Sequence, residues 1–518
     1  MDEKYYLKIS HACDLKNPKE RVLFRFLEML PGLLTWFTLL GAIALCYFRP
    51  QLAAFFILIF VLYWFFRAIY FSFHLRAGYK KMKEEENIDW LTKLKDLKEI
   101  SNGLLVDDWK GIYHLIILPM YKEPYAIVKE SIEALLKTDY PKDKMIVVLA
   151  QEEKAGEEIK IIGERIKQEF KDNFFKFLIS IHPADLPNEI AGKGSNESWA
   201  AEKAKNFLDS IEIPYENVIF SALDIDTVVS VHYFSCLTYH YLTTAKPTRT
   251  SFQPIPLFLN NVWQAPSISR LFSFSSSFWH ITNQERREKL ITFSSHSMSF
   301  KALVEVGFKQ RNVVSEDSRI FWQCFLLFDG DYRVEPLYCS VSMDANVARS
   351  FWQTILNMYK QQRRWAYGVG DIAYFTFGFM KNKKIPFKKK FSLAFEIIEG
   401  HWNWACASIL LATLGWLPVF LGGEEFSQTL FSYNLPRVTG RILAIAMIGL
   451  FSSIYYTFYL LPPKPGKKQR DLNVFLSSLQ WFLLPLTMIF FTALPAIDAQ
   501  TRWLLGKYMG FWPTPKHR

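Results

Sequence analysis

The stretch Asn217–Val229, NVIFSALDIDTVV, decides how the chain is read. Val218, Ile219, Phe220, Ala222 and Leu223 form a short apolar run that closes on two acids, Asp224 and Asp226. Such a run predicts a buried strand that delivers its acids to the edge of a sheet. Residues i and i+2 of a strand share a side, so the two carboxylates are expected to hold one divalent cation while Ile225 turns into the core. Hard carboxylate oxygens suit Mg²⁺ or Mn²⁺, ions that also take phosphate oxygens. An isolated D-x-D pair is more often surface or turn chemistry, so its weight comes from its surroundings.

Upstream, strand and helix patterns alternate. LIILPM (Leu115–Met120), KMIVVLAQ (Lys144–Gln151) and FKFLISI (Phe175–Ile181) read as strands. Ala126–Lys137, Glu157–Phe170 and Glu197–Asp209 carry helical spacing. This alternation predicts a parallel sheet with right-handed crossovers, whose ligands bind at the carboxyl ends of the strands, where Asp224 and Asp226 fall. The α/β domain is expected over residues 104–348. Within it, Pro247–Phe300 is aromatic, Ser-rich and irregular, and reads either as an acceptor surface at a membrane or as one more buried hairpin.

The flanks are of another character. The 518 residues are 50% hydrophobic and 17% aromatic with 46 Phe, a composition that points to lipid. Residues 1–28 form a charged N-terminal segment without the pattern of a cleavable signal peptide. Met29–Phe48 is uncharged, Arg49-Pro50 interrupts it, and a second apolar run follows, which predicts a transmembrane hairpin over 29–75. Basic residues at both open ends (Lys16, Lys19, Arg21 and Arg25; Arg76, Lys80, Lys81 and Lys83) put those ends in the cytoplasm, followed by a charged linker over 76–103. Residues 349–390 read as interfacial amphipathic helices. Three spans are expected within 391–498, at about 402–421, 442–461 and 474–494, with the basic loop 462–470 cytoplasmic. A fifth span would leave the tail, 499–518, outside, whereas its Arg502, Lys507, Lys516 and Arg518 argue for the inside. The chain thus reads as a multi-pass protein of the bacterial cytoplasmic membrane with a cytosolic domain. Its net charge of +11 is assigned to lipid headgroups and nucleotide phosphates, not to nucleic acid. The six Cys show no metal spacing and read as reduced. Glu396, Glu399 and His401 either line a sugar path or anchor the third span at the interface.

Four further motifs carry chemistry. PMYKEP (Pro119–Pro124) closes the first strand and could bound a nucleotide base, or be a plain turn with Glu123 near a helix N-terminus. AGKGSNES (Ala191–Ser198) offers tight turns and Lys193 to neutralise a phosphate, or is only a turn. In VVSEDSRIFWQCF (Val313–Phe325), Ser315, Glu316 and Asp317 could cap a helix while Asp317 serves as a general base. In QQRRW (Gln361–Trp365), Arg364 suits phosphate and Trp365 a sugar face; the plainer reading is a membrane-surface helix.

The order P-x-Y-x-E, G-K, D-x-D, E-D, Q-x-x-R-W between membrane spans resembles the family 2 inverting glycosyltransferases, which include cellulose, chitin and hyaluronan synthases and ceramide glucosyltransferase. The resemblance implies an α/β GT-A (Rossmann-like) domain inserted between transmembrane helices, and a metal-dependent hexosyltransferase using a nucleotide-diphosphate sugar, with UDP as the nucleotide. By position, Asp224 and Asp226 match the metal and diphosphate site, Asp317 with its neighbour Glu316 the catalytic acids, and Gln361, Arg364 and Trp365 the diphosphate and acceptor motif. Pro119, Tyr121, Glu123 and Lys193 match nucleotide-contacting positions. The family ends its second strand with acids that contact uridine; here that place reads LAQEE, so Gln151, Glu152 or Glu153 would serve. The implied acceptor is a hydroxyl of a polysaccharide or lipid, with single transfer to a polyprenyl phosphate or diacylglycerol as the alternative. A non-catalytic membrane scaffold is the rival from another class.

Overall fold

The computed structural model describes residues 4–97, 104, 106, 108–464, 466 and 472–515. Residues 98–103 of the linker, 465 and 467–470 of the basic loop, and Lys516 and Arg518 of the tail lie outside that range. Among the described residues eight strands form one sheet: β1 (Tyr113–Met120), β2 (Met145–Glu152), β3 (Lys176–His182), β4 (Val218–Ala222), β5 (Val228–Val229), β6 (Thr250–Leu257), β7 (Ser297–Ser299) and β8 (Arg333–Ser342). Their spatial order is β3-β2-β1-β4-β7-β6-β8-β5. The first four are parallel and make a Rossmann-like half. β7 then runs antiparallel to both β4 and β6, and β8 is parallel to β6, so the whole sheet is mixed.

Alternation along the strands builds two cores. Leu115, Ile117, Val148 and Phe220 face one side, where the helix Lys193–Ser210 lays Ala200, Ala201, Ala204 and Leu208 on them. Ile116, Leu118, Val147 and Ile219 face the other, covered by Val128, Ile132 and Leu135 of the helix Tyr125–Leu136. Each such side chain contributes about 1.5–3 kcal/mol on burial. A one-residue slip would exchange the two faces, so the register that carries the strand ends is strongly fixed.

Two expectations are corrected here. Pro247–Phe300 is no irregular loop: it holds β6, the helix Ser267–Gln284, β7 and the start of the helix Phe300–Glu305. Its apolar residues Leu271, Phe274, Phe278 and Ile281 are buried, on the helical spacing that the Ser-rich composition concealed. The membrane expectation changes as well. Among the described residues four helices are long and apolar enough to cross a membrane: Pro18–Phe48, Pro50–Glu86, Leu430–Leu460 and Val474–Leu505. The expected span 402–421 is not among them. The helix Phe387–Thr413 ends inside it, its first half carrying Lys388, Lys389, Lys390 and Glu396, and a separate short helix, Leu417–Leu421, follows.

The apolar helices and the domain share one core, in which Phe24, Ala54 and Ile57 belong with the β1 and β4 side chains. Ion pairs tie the same parts: Glu396 meets Arg286 and Lys289, and Glu399 meets Arg67. A β-carbon at Gly78 would lie 2.5 Å from the carbonyl oxygen of Ile281, so this glycine allows the second apolar helix to press against Ser267–Gln284. Gly78→Ala is expected to destabilise the detergent-solubilised protein by about 1–3 kcal/mol in a denaturation curve. Gly400→Ala, with nothing within 4 Å, should cost nothing measurable.

Candidate active site

The sheet ends its pairing before the acids arrive. β4 stops at Ala222, and Asp224 and Asp226 sit in a turn closed by Thr227 N–H to Asp224 O at 2.8 Å. The i, i+2 argument for a strand therefore does not apply, and the two side chains differ in exposure and in partners. Asp224 is a quarter exposed, accepts from Ser294 Oγ at 2.5 Å and lies 2.7 Å from Lys193 Nζ. Asp226 is fully buried, and its Oδ2 accepts the Asp344 N–H at 2.9 Å. Ile225 is in the core, as expected.

Lys193 is the first residue of its helix, close to the turn that follows β4. Its ammonium reaches Asp317 Oδ2 at 2.8 Å as well as Asp224, and Glu197 at 3.7 Å. Asp317 and Glu316 open the helix Glu316–Leu327. The expected Ser315 cap is replaced: its hydroxyl turns to Asp371, 3.4 Å away. Arg319, almost fully buried, pairs with Asp371 at 2.6 Å, and this bond locks the acid-bearing helix to the next layer. Gly194 is required by close approach, since a β-carbon there would lie 2.7 Å from the β-carbon of Glu316.

Electrostatics divides these acids. Burial opposes ionisation of Asp317, but Lys193 and Lys309 outweigh it and hold its carboxyl well below the usual range. Glu316 is pushed up to about 8 by burial and by Asp317 beside it. At neutral pH the pair is therefore one carboxylate and one carboxylic acid. Burial opposes the charge on Lys193, yet Asp224 and Asp317 hold its pKa well above the ordinary lysine value.

Arg364 comes to the same cluster from the helix Phe351–Ala366. Burial lowers its pKa, against the fields of Glu316, Asp224 and Asp317. Among the described residues its Nε is buried without a hydrogen-bond partner. Trp365 faces Phe258 and Phe272 at 6.3 and 6.1 Å between ring centres, and Gln361 accepts from Asn346 at 3.3 Å. Asp224 offers the hard oxygens that Mg²⁺ or Mn²⁺ prefers, while Glu197, Glu316 and Asp317 bring carboxyl oxygens within 4.8 Å of one another.

The residues read as base contacts lie along the strand ends. Pro119 is on β1, and Glu123 folds back on its own turn, accepting from the N–H groups of Tyr121 and Lys122 at 2.7 and 3.1 Å. Gln151 points behind the sheet and donates to Ile159 O at 2.5 Å. Glu153 accepts the Ala184 N–H at 2.8 Å. Glu152 instead borders a cavity of about 200 Å³ with Lys154, His182, Asp185 and Glu189. There His182 bridges Glu152 and Glu189 at 3.0 and 2.9 Å, and although burial works against its charge, the two glutamates raise its pKa.

Sequence reading missed three contributors. Lys309 sits in no motif. Glu197 stands four residues after Lys193 on one helix, a spacing that signals a facing pair. The third is the tail: Phe511 lies 5.0 Å under the Arg364 guanidinium and against Gly192, and Trp512 under Lys360 at 5.3 Å. These tail residues lie against the domain.

No family model and no curated protein matches the chain. Solved structures similar to it include a mannosyltransferase from Pyrobaculum calidifontis in complex with GDP-Man and Mn²⁺, at 13% identity and TM-score 0.41, covering 85% of this chain and 100% of that one. Another is S. aureus TarS 1–349 with UDP-GlcNAc, at 11% identity and TM-score 0.37, covering 77% and 93%. A third is GalNAc-T7 with UDP, GalNAc and Mn²⁺, at 11% identity and TM-score 0.32, covering 56% and 57%.

Lys193→Met strands Asp224 and Asp317 without their common cation. Losing one partner of a buried pair costs about 3–5 kcal/mol. Chemical denaturation should show that loss, and Lys193→Met/Asp317→Asn should recover part of it.

Proposed function

We infer that the chain is a membrane-integral, inverting glycosyltransferase of the GT-A type, in the manner of family 2. It moves a sugar from a nucleoside-diphosphate sugar to a hydroxyl of a polysaccharide or lipid acceptor. The observation that carries this reading is the convergence of Asp224, Asp317 and Arg364 on one cleft at the carboxyl ends of the strands. Cations beside a largely buried carboxylate match what such a transfer needs.

The roles follow from the chemistry of each group. Lys193 and Arg364 bind the diphosphate, Lys193 by giving up one of its carboxylate partners and Arg364 through its unpartnered Nε–H. Asp224, with Asp226 behind it, would hold Mg²⁺ or Mn²⁺, which neutralises the diphosphate charge. Asp317 accepts the proton of the acceptor hydroxyl as the oxygen attacks the anomeric carbon and the nucleoside diphosphate departs from the opposite face, inverting that carbon. Glu316, a carboxylic acid at neutral pH, leaves that role to its neighbour. The base of the donor is assigned to the cavity at the ends of β2 and β3, beside Glu152 and His182. Trp365 with Phe258 and Phe272 forms an aromatic wall for the acceptor sugar. The reaction is read as taking place at a membrane, with the domain on the cytoplasmic side, and the long apolar helices support that reading.

Membranes or purified protein supplied with UDP-glucose, UDP-N-acetylglucosamine or GDP-mannose should release nucleoside diphosphate from at least one; silence across the panel favours a non-catalytic scaffold. A polymer ladder separates a polysaccharide product from a single glycolipid. Asp317→Asn should lower turnover by about 10²–10⁴-fold while nucleotide binding persists, and near-wild-type transfer rules out this base. Asp226→Ala should abolish Mn²⁺-dependent nucleotide binding, and an unchanged calorimetric isotherm counts against the metal site.

A further inference from the structure

We propose that Lys309 is a positioning residue for Asp317, holding one oxygen of that carboxylate so that the other is free to receive a proton once Lys193 turns to the donor phosphates. The proposal rests on the reading of Asp317 as the base. Each Asp317 oxygen has its own ammonium: Oδ2 has Lys193 and Oδ1 has Lys309, both at 2.8 Å. The two lysines are not equivalent. Lys193 is shared with Asp224 at the open side of the cleft. Lys309 is shared with Glu197 at 2.6 Å, a carboxylate with no exposure, and its own side chain is 1% exposed. An incoming anion therefore meets Lys193 and not Lys309.

The segment that presents Lys309 is fastened on both sides. Its carbonyl accepts from Ser198 Oγ at 2.8 Å, on the helix that carries Lys193 and Glu197. The amide of Gln323, on the acid-bearing helix, donates to Phe308 O at 3.3 Å, and its oxygen accepts the Gln310 N–H at 3.2 Å. Lys309 thus joins the two helices that carry the reacting groups, and Thr292 Oγ fixes the Asp317 backbone carbonyl at 2.5 Å. His296 Nδ1 lies 3.7 Å from Asp317 Oδ1 but is bonded to Phe293 O at 2.8 Å, which leaves the orientation of that oxygen to Lys309. The plain alternative is that Lys309 only neutralises buried Glu197.

The test compares wild type, Lys309→Met and Lys309→Met/Glu197→Gln as full-length detergent-solubilised protein. Turnover is read with whichever of UDP-glucose, UDP-N-acetylglucosamine and GDP-mannose wild type uses, and binding with UDP or GDP plus Mn²⁺. The single variant is expected to be less stable, and the double variant to regain thermal stability because the unpaired glutamate is gone. Both should lose about 10²-fold in kcat, as misaimed groups do, with KM for the donor and nucleotide Kd within about threefold of wild type. Recovery of kcat in the double variant would reduce Lys309 to a counter-ion for Glu197 and overturn the proposal. So would a loss confined to KM and Kd in either variant. An inactive wild type overturns the reaction itself, and this proposal with it; the two failures are distinguishable because the former leaves wild type active.

Discussion

One ammonium group organises the site. Lys193 stands between Asp224, at the end of the parallel half of the sheet, and Asp317, at the start of a helix and 124 residues after Lys193. Bringing two carboxylates toward each other in a partly desolvated cleft is unfavourable unless a cation lies between them. The backbone at Gly192 and Gly194 meets that demand, because bulkier residues would strike Phe511 and Glu316. The position of every other charged group can be traced from this one. Lys309 balances Glu197 and the far side of Asp317, Arg364 lies in the field of three acids, and Glu316 gives up its charge.

The surroundings explain why the cleft keeps its shape. Two cores lock the sheet register from both faces, and one of them runs on into the apolar helices. The cleft is therefore not carried by an appended domain free to tumble. The Arg319–Asp371 pair, buried at both ends, fixes the acid-bearing helix to the helix Asp371–Lys381. The tail closes the arrangement: Trp503 stacks on Tyr367 at 4.9 Å between centres, and Phe511 meets Arg364. A group that binds a diphosphate at Arg364 must share that guanidinium with an aromatic ring or displace it.

Much of this was legible in the chain. Val218–Ala222, Met145–Glu152 and Glu157–Phe170 follow from apolar period alone, since local pattern and tertiary burial agree there. Asp224, Lys193, Asp317 and Arg364 stand in short motifs whose residue types signal phosphate and proton chemistry. Other features were hidden for physical reasons. The helix Ser267–Gln284 carries serines on and around its buried face, which composition reads as loop. The apolar run 402–421 is broken by Gly415 and Pro418 at the end of a helix that begins in lysines, so it does not form one long apolar helix. The different surroundings of Asp224 and Asp226 follow from pairing ending at Ala222, which no residue in the run announces. Lys309 and Phe511 reach the site only through tertiary packing.

The most direct test of the Lys193-centred site is an experimental structure of the solubilised chain with Mn²⁺ and UDP or GDP. The diphosphate is expected between Asp224 and Arg364, the Lys193 ammonium moved onto phosphate oxygens, and Asp317 still within about 3 Å of Lys309. A nucleotide bound elsewhere, or an Asp317 carboxylate turned away from the Asp224 side of the sheet, would contradict it.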